Sequence, residues 1–103
     1  MKNGYRIFWT DFALEELEKT IEYLKENFSE KELKNLAESI EENLILISKN
    51  PNLYQVSEAK KDLRRIVILR YNSLYYRIKN DTIEIISFFS NRQNPRKKNL
   101  EIK

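Results

Sequence analysis

Apolar residues in the first half of the chain recur with the period of an α-helix. A first set lies at spacings of three and four, and it comprises Leu14, Leu17, Ile21, Leu24 and Phe28. This spacing places all five side chains on one helical face, and Thr10 or Asp11 is suited to cap the start of the helix. The pattern therefore predicts a first amphipathic helix.

A second helical pattern begins almost at once. Residues 29–32 (SEKE) have the sequence of a capping box, in which the hydroxyl of Ser29 accepts the backbone N–H of Glu32. The apolar face that follows comprises Leu33, Leu36, Ala37, Ile40, Leu44 and Ile47, and Asn50-Pro51 ends it. Because the connection between the helices is so short, we predict an antiparallel hairpin whose apolar stripes face a common core.

The period changes to two on either side of this hairpin. Residues 5–9 (YRIFW) are aromatic and β-branched, which favours an opening strand, and three similar runs after the hairpin predict strands at 63–70, 74–79 and 82–89. The predicted fold class is α+β. It has an N-terminal strand, the antiparallel helical hairpin, and a three-stranded antiparallel meander packed on the hairpin.

The dipeptide Asn80-Asp81 tolerates positive φ, which a tight hairpin turn requires. A two-residue turn there predicts the facing pairs Ile78 with Ile83, Tyr76 with Ile85, and Arg77 with Glu84. The first two pairs belong to the core side of the sheet. A regular ladder then displays on the opposite side Arg65, Tyr75, Arg77, Glu84, Ile86 and Phe88. Such a mixture of apolar and cationic groups is unusual for a face meant only for water, and it predicts a binding surface.

Composition narrows the chemistry that this chain can perform. Its 103 residues predict one domain, residues 1–103, and they include no cysteine, no histidine and a single glycine, Gly4. Disulfides, thiolate nucleophiles, histidine acid–base chemistry and Cys/His metal sites are thereby excluded. A glycine-rich phosphate loop is excluded as well. We therefore expect no metal and no cofactor.

Charge is distributed unevenly along the chain. The net charge is −4 over residues 1–50, +3 over residues 51–90 and +4 over the tail, residues 91–103. The tail begins within FFSNRQNPRKK, residues 88–98, and its basic groups suit either an anionic partner or simple solvation. No apolar run approaches the roughly 20 residues that span a bilayer, and the start lacks a secretory pattern. We expect a cytoplasmic protein with no membrane partner.

The order of elements, together with three segments, resembles the RelE/ParE superfamily of bacterial type II toxin-antitoxin toxins. The segments are WTDFALEELEKTIEYL, DLRRIVILRYNSLYYRIKNDTIEII and FFSNRQNP. The resemblance implies a growth inhibitor that a cognate antitoxin protein neutralises. One branch of the superfamily cuts mRNA on the ribosome with basic side chains and a tyrosine or histidine. The ParE-like branch instead acts on DNA gyrase by binding.

The nuclease pattern that the resemblance implies is incomplete here. Two of its basic positions hold Ile66 and Ser73, and a position that is often histidine holds Ser90, whereas Arg65 and Arg92 match. A guanidinium binds anions but stays protonated, so the matching arginines cannot shuttle protons. We therefore expect a ParE-like toxin without catalytic residues that binds DNA gyrase. The alternatives are a ribosome-dependent mRNA endonuclease and a nontoxic binding module on the same fold.

Candidate site residues follow from the predicted binding face of the sheet and from the resemblance to the superfamily. The candidate target-binding residues are Arg65, Arg92, Tyr75 and Lys61, and the candidate antitoxin-binding residues are Tyr75, Ile86 and Phe88. Tyr75 is suited to stacking on a partner. Lys61 is one of two adjacent lysines in a polar loop, where a solvated side chain is favoured over a phosphate clamp or a general base. Arg77 is expected to pair with Glu84 rather than with a target.

Overall fold

The computed structural model, which describes residues 4–57 and 62–90, has its elements in the predicted order. They are β1 (Arg6–Trp9), α1 (Asp11–Asn27), α2 (Glu30–Lys49), β2 (Arg64–Ile68), β3 (Asn72–Lys79) and β4 (Thr82–Ser90). The predicted α+β class, with its opening strand, helical hairpin and antiparallel meander, is confirmed. Lys61 and Arg92 lie outside the described residues.

The four strands form one mixed sheet in the order β1-β4-β3-β2. β1 runs parallel to β4, and the other neighbours are antiparallel. Thr10 extends the parallel ladder by one residue, because its backbone N–H and its hydroxyl both donate to the carbonyl of Ile85, at 3.1 and 3.0 Å. The opening strand thus joins the meander at its last strand and makes β4 a central strand.

Side-chain caps begin both helices. The hydroxyl of Thr10 accepts the N–H of Ala13 at 3.2 Å, and the hydroxyl of Ser29 accepts the N–H of Glu32 at 3.4 Å, as the capping box predicts. Only Phe28 and Ser29 separate the two helices, which therefore form the predicted hairpin. Neither helix of the described part of the chain is long and apolar enough to cross a membrane.

The core lies between the helical hairpin and one side of the sheet. Its buried apolar members are Ala13, Leu24, Leu36, Ile40, Ile47, Ile66, Ile68, Leu74, Tyr76, Ile83, Ile85 and Phe88. Other apolar residues of the helices, among them Leu17, Ile21 and Leu44, are only partly buried. The middle of each predicted apolar stripe therefore faces the core, but Leu14 and Phe28, at the two ends of the first stripe, are exposed.

The pairing of β3 with β4 follows the prediction up to a β-bulge. The three predicted pairs are present, but opposite Tyr75 the ladder contains an extra residue, Ile86, and Ser87 is the registered partner of Tyr75. This shift turns Phe88 into the core, where it is 1% exposed. The prediction that Phe88 lies on the exposed face is therefore wrong, because it continued a regular ladder past the position of the bulge.

A carboxylate of α1 is bound at this bulge. Oε1 of Glu16 accepts two hydrogen bonds, from the hydroxyl of Ser87 at 2.9 Å and from the backbone N–H of Phe88 at 2.7 Å. β1 ends at Trp9, which is paired with Ile85, so Glu16 supplies an acceptor to the part of β4 beyond the last β1 pair. This contact ties the first helix to the last strand.

β2 is shorter than the predicted strand at 63–70. It ends at Ile68, and the chain then turns through Leu69 and Arg70 with φ angles of +50° and +69°. Positive φ is unfavourable for residues with a Cβ. The run of apolar residues that begins at Ile66 continues to Leu69, but in this turn the Leu69 side chain lies on the surface, 44% exposed.

Tyr76 connects β3 to the loop that follows α2. Its hydroxyl is buried and donates to the carbonyl of Pro51 at 2.7 Å. Burial raises the pKa of Tyr76 above its ordinary value, because an ionised phenol is poorly solvated there, and the nearby Arg64 guanidinium opposes this shift only in part. Folding therefore favours the protonated form of this side chain.

The raised pKa of Tyr76 predicts a loss of stability in alkali. Its contribution is complete below about pH 10, where an unfolded tyrosine is still protonated, and it is lost as pH rises through the higher folded pKa. Denaturant titrations between about pH 9 and 11 should show this fall in the wild type and in Tyr71→Phe. At the low end of this pH range, Tyr76→Phe should be about 0.5 to 1.5 kcal/mol less stable than the wild type, and its free energy of unfolding should fall less steeply as the pH rises. Parallel pH profiles for all three proteins would contradict the assignment.

Two isoleucines of α2 provide a matched test of the core. Ile47 is fully buried, whereas Ile45, two residues earlier, is 48% exposed. Ile47→Ala should lower the free energy of unfolding by roughly 2 to 5 kcal/mol, because it leaves a cavity. Ile45→Ala should stay within about 0.5 kcal/mol of the wild type. Equal denaturant midpoints for the two variants would show that α2 packs through a different face.

Candidate target-binding surface

The side of the sheet that faces away from the helices forms a surface that we call the open face. Its residues, taken from alternate positions of the strands and their registered partners, are Arg6, Phe8, Arg65, Val67, Ser73, Tyr75, Arg77, Lys79, Thr82, Glu84, Ser87 and Phe89, and Ile86 is the extra residue of the bulge beside Ser87. Phe8 and Val67 are 54% and 52% exposed, although both belong to regular strands. The open face thus displays apolar groups beside cationic side chains, as the sequence predicts.

Arg65 is oriented by a neighbouring strand. Its Nε donates to the hydroxyl of Ser73 at 3.1 Å, and the backbone register pairs Arg65 directly with Tyr75. Among residues 4–57 and 62–90, Ser73 is the hydrogen-bond partner of the Arg65 guanidinium. The two terminal nitrogens of Arg65 therefore remain available to bind a partner molecule. A guanidinium held through Nε presents a planar pair of donors, which matches the two oxygens of a carboxylate or phosphate.

Arg77 is engaged differently. Its Nε lies 2.7 Å from Oε1 of Glu84, the residue that it faces across the β3–β4 hairpin. The predicted cross-strand pair is therefore present. Because Arg77 is 45% exposed, the pair contributes at most about 1 kcal/mol. Its effect on the site is to neutralise one arginine and one carboxylate, which leaves the cations of Arg6, Arg65 and Lys79 on the described open face.

The open face is equipped for binding more than for proton transfer. Its one described carboxylate, on Glu84, is occupied by Arg77, and a guanidinium neither accepts nor releases a proton near neutral pH. Among the described residues, no cluster of three or more acidic side chains could hold a metal ion. The chemistry available is the recognition of anionic groups by arginine, together with apolar and aromatic contact.

A second surface lies on the opposite side of the molecule, between α1, α2 and the start of β1. We call it the hairpin groove. It has a volume of about 470 Å³ and is lined by Tyr5, Ile7, Leu17, Ile21, Leu33, Leu36, Ala37, Ile40, Glu41, Leu44, Ile45 and Ser48. Nearly all of these side chains are apolar. The groove explains why several residues of the predicted helical stripes are only partly buried.

The structure brings together some of the predicted site residues. Arg65 and Tyr75 are neighbours on the open face, and Ile86 is the partly buried extra residue of the bulge opposite Tyr75. Phe88 is separated from them because it lies in the core. Lys61 and Arg92 fall outside the described residues, so their roles stay predictions.

The role of Ser73 was not predicted from the sequence. In the nuclease pattern this position is basic, and the serine looked only like a missing group. Ser73 is the registered partner of Val67 and hence a diagonal neighbour of Arg65, within reach of a long side chain. The exact strand register, which the alternation of residues alone does not supply, would have been needed to find this contact.

One family of known proteins matches this chain over both the helical hairpin and the sheet. The family model described as "ParE toxin of type II toxin-antitoxin system, parDE" matches residues 7–95. The chain belongs to the ParE toxin family. The match begins in β1 and continues past the end of β4, so nearly all residues of both surfaces of this ParE-family toxin lie within it. Among curated proteins, none matches the sequence.

Two solved structures are similar in fold to this ParE-family chain. One is from the "Chromosomal ParDE TA system from P. aeruginosa", with a TM-score of 0.67 and 22% identity over 86% of this chain and 98% of that chain. The other is the conserved hypothetical protein HP0894 from Helicobacter pylori, with a TM-score of 0.52 and 17% identity over 85% and 96% of the respective chains. At such identities the similarity supports the fold, and the family match supports the RelE/ParE resemblance of the sequence.

Proposed function

We propose that this ParE-family toxin inhibits growth by binding DNA gyrase through the open face, and that an antitoxin neutralises it. The observation that carries the proposal is the arrangement of Arg65, which Ser73 holds in place beside Tyr75. These groups can bind an acidic or phosphate group. The guanidinium of Arg65 and the hydroxyl of Ser73 cannot serve as the general base that an mRNA endonuclease requires to activate its nucleophile.

The composition of the open face favours a protein as the target. Phe8, Val67 and Phe89 are between 37% and 54% exposed, and they bury apolar area when a partner covers them. Arg65 lies on the same face, two residues from Val67 on β2, whereas Phe8 lies on the opposite edge strand. An arginine beside apolar groups is typical of the residues that dominate binding energy at protein interfaces. A carboxylate on gyrase would complete this contact.

Three further residues belong to the proposed target contact. Tyr75 adjoins Arg65 in the register and offers an aromatic side chain to the same partner. Arg92 and Lys61 lie outside the described residues, and we propose them from the sequence as cations that bind carboxylates or phosphates of the target. Together with Arg65 they would steer the toxin toward an acidic surface, in a manner that salt weakens.

For the antitoxin, we propose that the hairpin groove is the main docking surface. An open apolar groove of this size on a small domain is suited to an amphipathic helix that inserts apolar side chains. The helices that form it carry eleven acidic and five basic side chains over residues 11–49, a net charge of −6. We therefore expect basic residues to flank the apolar residues of the antitoxin segment.

The open face remains a second proposed antitoxin contact, through Tyr75 and Ile86. An antitoxin that reaches both surfaces would block the target directly while it is held by the groove. Phe88 is buried, so substitutions there would act on such a complex through packing rather than through contact.

Controlled expression in bacteria tests the target. We expect DNA synthesis to stop before protein synthesis, and the purified toxin to inhibit supercoiling by gyrase. Arg65→Ala should weaken inhibition by about 10- to 100-fold, the value of a hydrogen bond to a charged group. Arg92→Ala should weaken it in the same direction, and Ser73→Ala, which keeps the arginine but removes its anchor, should have an intermediate effect.

The matched control for these arginines is Lys19→Ala, which removes an exposed cation from α1. This variant should inhibit like the wild type. If protein synthesis stops first and ribosome-bound mRNA is cut, the endonuclease is the correct assignment. If neither synthesis is affected, the protein is a binding module without toxicity.

A pair of charge-matched variants tests the groove. Ala37 lines it and Asn35 does not, although both are exposed positions of α2. In a titration with the antitoxin encoded beside this gene, Ala37→Glu should weaken binding by about 100-fold, because a buried carboxylate would lack a partner. Asn35→Glu should bind like the wild type. Equal affinities would place the antitoxin elsewhere, and Tyr75→Ala and Ile86→Ala in the same titration would report on the open face.

A further inference from the structure

The two ends of β4 are held in place by different contacts. From Thr82 to Ile85, the strand lies between β1 and β3 and is paired on both sides. Beyond Ile85, it keeps β3 on one side but has passed the end of β1. The β-bulge at Ile86 lies at the start of this second part, so the bulge falls where the sheet itself constrains β4 least.

The apolar pattern of β4 does not by itself determine the register of this second part. In the observed register Phe88 faces Leu74 and is buried, while Phe89 faces Ser73 and is 37% exposed. Without the bulge, Phe88 would face Ser73 on the open face, and Phe89 would turn toward the core opposite Asn72. Because the two phenylalanines are adjacent, either register buries one aromatic ring.

The contact that distinguishes the two registers comes from α1. Oε1 of Glu16 accepts the hydroxyl of Ser87 and the backbone N–H of Phe88 at 2.9 and 2.7 Å. Both donors belong to residues that follow the bulge, and a shift of one residue would move both away from the carboxylate. Hydrogen bonds to an ionised acceptor are stronger than neutral ones, and Glu16 is only partly exposed, so its acceptor is not fully satisfied by water.

We propose that Glu16 is a positioning residue that selects the bulged register of β4. It thereby determines which side chains of β4 the open face presents beside Tyr75. In the bulged register Ser87 and Phe89 face Tyr75 and Ser73, with Ile86 as the extra residue, whereas a regular ladder would place Ile86 and Phe88 at these positions. The register also sets the position from which the chain leaves Ser90, since a slip of one residue moves it by about 3.3 Å and reverses its face. Its effect on target binding rests on the function proposed above.

Amide hydrogen exchange of the full chain tests the register directly. In Glu16→Ala the N–H of Phe88 should exchange about 10- to 100-fold faster than in the wild type, as expected for loss of a charge-assisted hydrogen bond. Nuclear Overhauser contacts from the Phe88 ring to Leu74 should weaken at the same time. The amides of Ile83 and Ile85, which lie before the bulge, should stay as protected as in the wild type.

Three variants separate the acceptor from other effects of the substitution. Glu16→Gln keeps a side-chain oxygen at the same position and should restore most of the protection at Phe88. Ser87→Ala removes one of the two donors and should give a smaller acceleration than Glu16→Ala. Glu18→Ala, which removes an exposed carboxylate from the same helix, should change neither the exchange nor the contacts of Phe88.

The outcomes distinguish this proposal from the proposed function. If Glu16→Ala keeps the protection and ring contacts of Phe88, Glu16 does not select the register. If Glu16→Ala does not fold, Ser87→Ala gives the answer, because normal exchange at Phe88 in that variant contradicts the proposal. Gyrase inhibition should fall at least about 10-fold in Glu16→Ala and return in Glu16→Gln. If the register changes in Glu16→Ala but gyrase inhibition does not, Glu16 does not position residues for target binding. If the wild type does not bind gyrase, only the proposed function is refuted.

Discussion

The parallel pairing of β1 with β4 is the constraint on which the rest of the structure depends. β1 precedes the helices, and β4 ends the meander. Because these two strands pair in parallel, the chain between them must cross the sheet, and α1 and α2 lie in that connection on one side of the sheet. Thr10 serves this pairing and α1 together, because it donates to Ile85 and also caps the helix. The end of β1 and the start of α1 are thereby determined at one residue, which brings Glu16 alongside β4.

Local periodicity was sufficient to predict the elements and part of their register. The capping residue Ser29 and the turn at Asn80-Asp81 were readable from the sequence, because each acts on backbone groups only a few residues away. The bulge in β4 was not readable. Its partner Glu16 is 71 residues from Ser87, and the adjacent phenylalanines satisfy either register, so alternation could not reveal that Phe88 is buried.

The same distinction, between local patterns and contacts of distant residues, applies to the open face and the hairpin groove. Helical periodicity identified the apolar faces of α1 and α2, but it could not show that part of these faces lines an open groove, since that depends on how far the helices separate above β1. On the open face, Arg65 and Tyr75 were identified as candidates from residue type and resemblance. Ser73 required knowledge of the register, because its contact with Arg65 runs diagonally between neighbouring strands. The roles of Lys61 and Arg92 stay predictions.

The contact between Thr10 and Ile85 also bears on how the protein folds. These residues are 75 positions apart, whereas the contacts that form each helix are local. Local contacts form quickly, and contacts between distant parts of a chain form slowly because a long loop must first be closed. During synthesis the helical hairpin is therefore available well before β4 exists to receive β1. Its apolar stripes have no sheet to cover them in that interval, and the open face is assembled only when nearly the whole chain has been made.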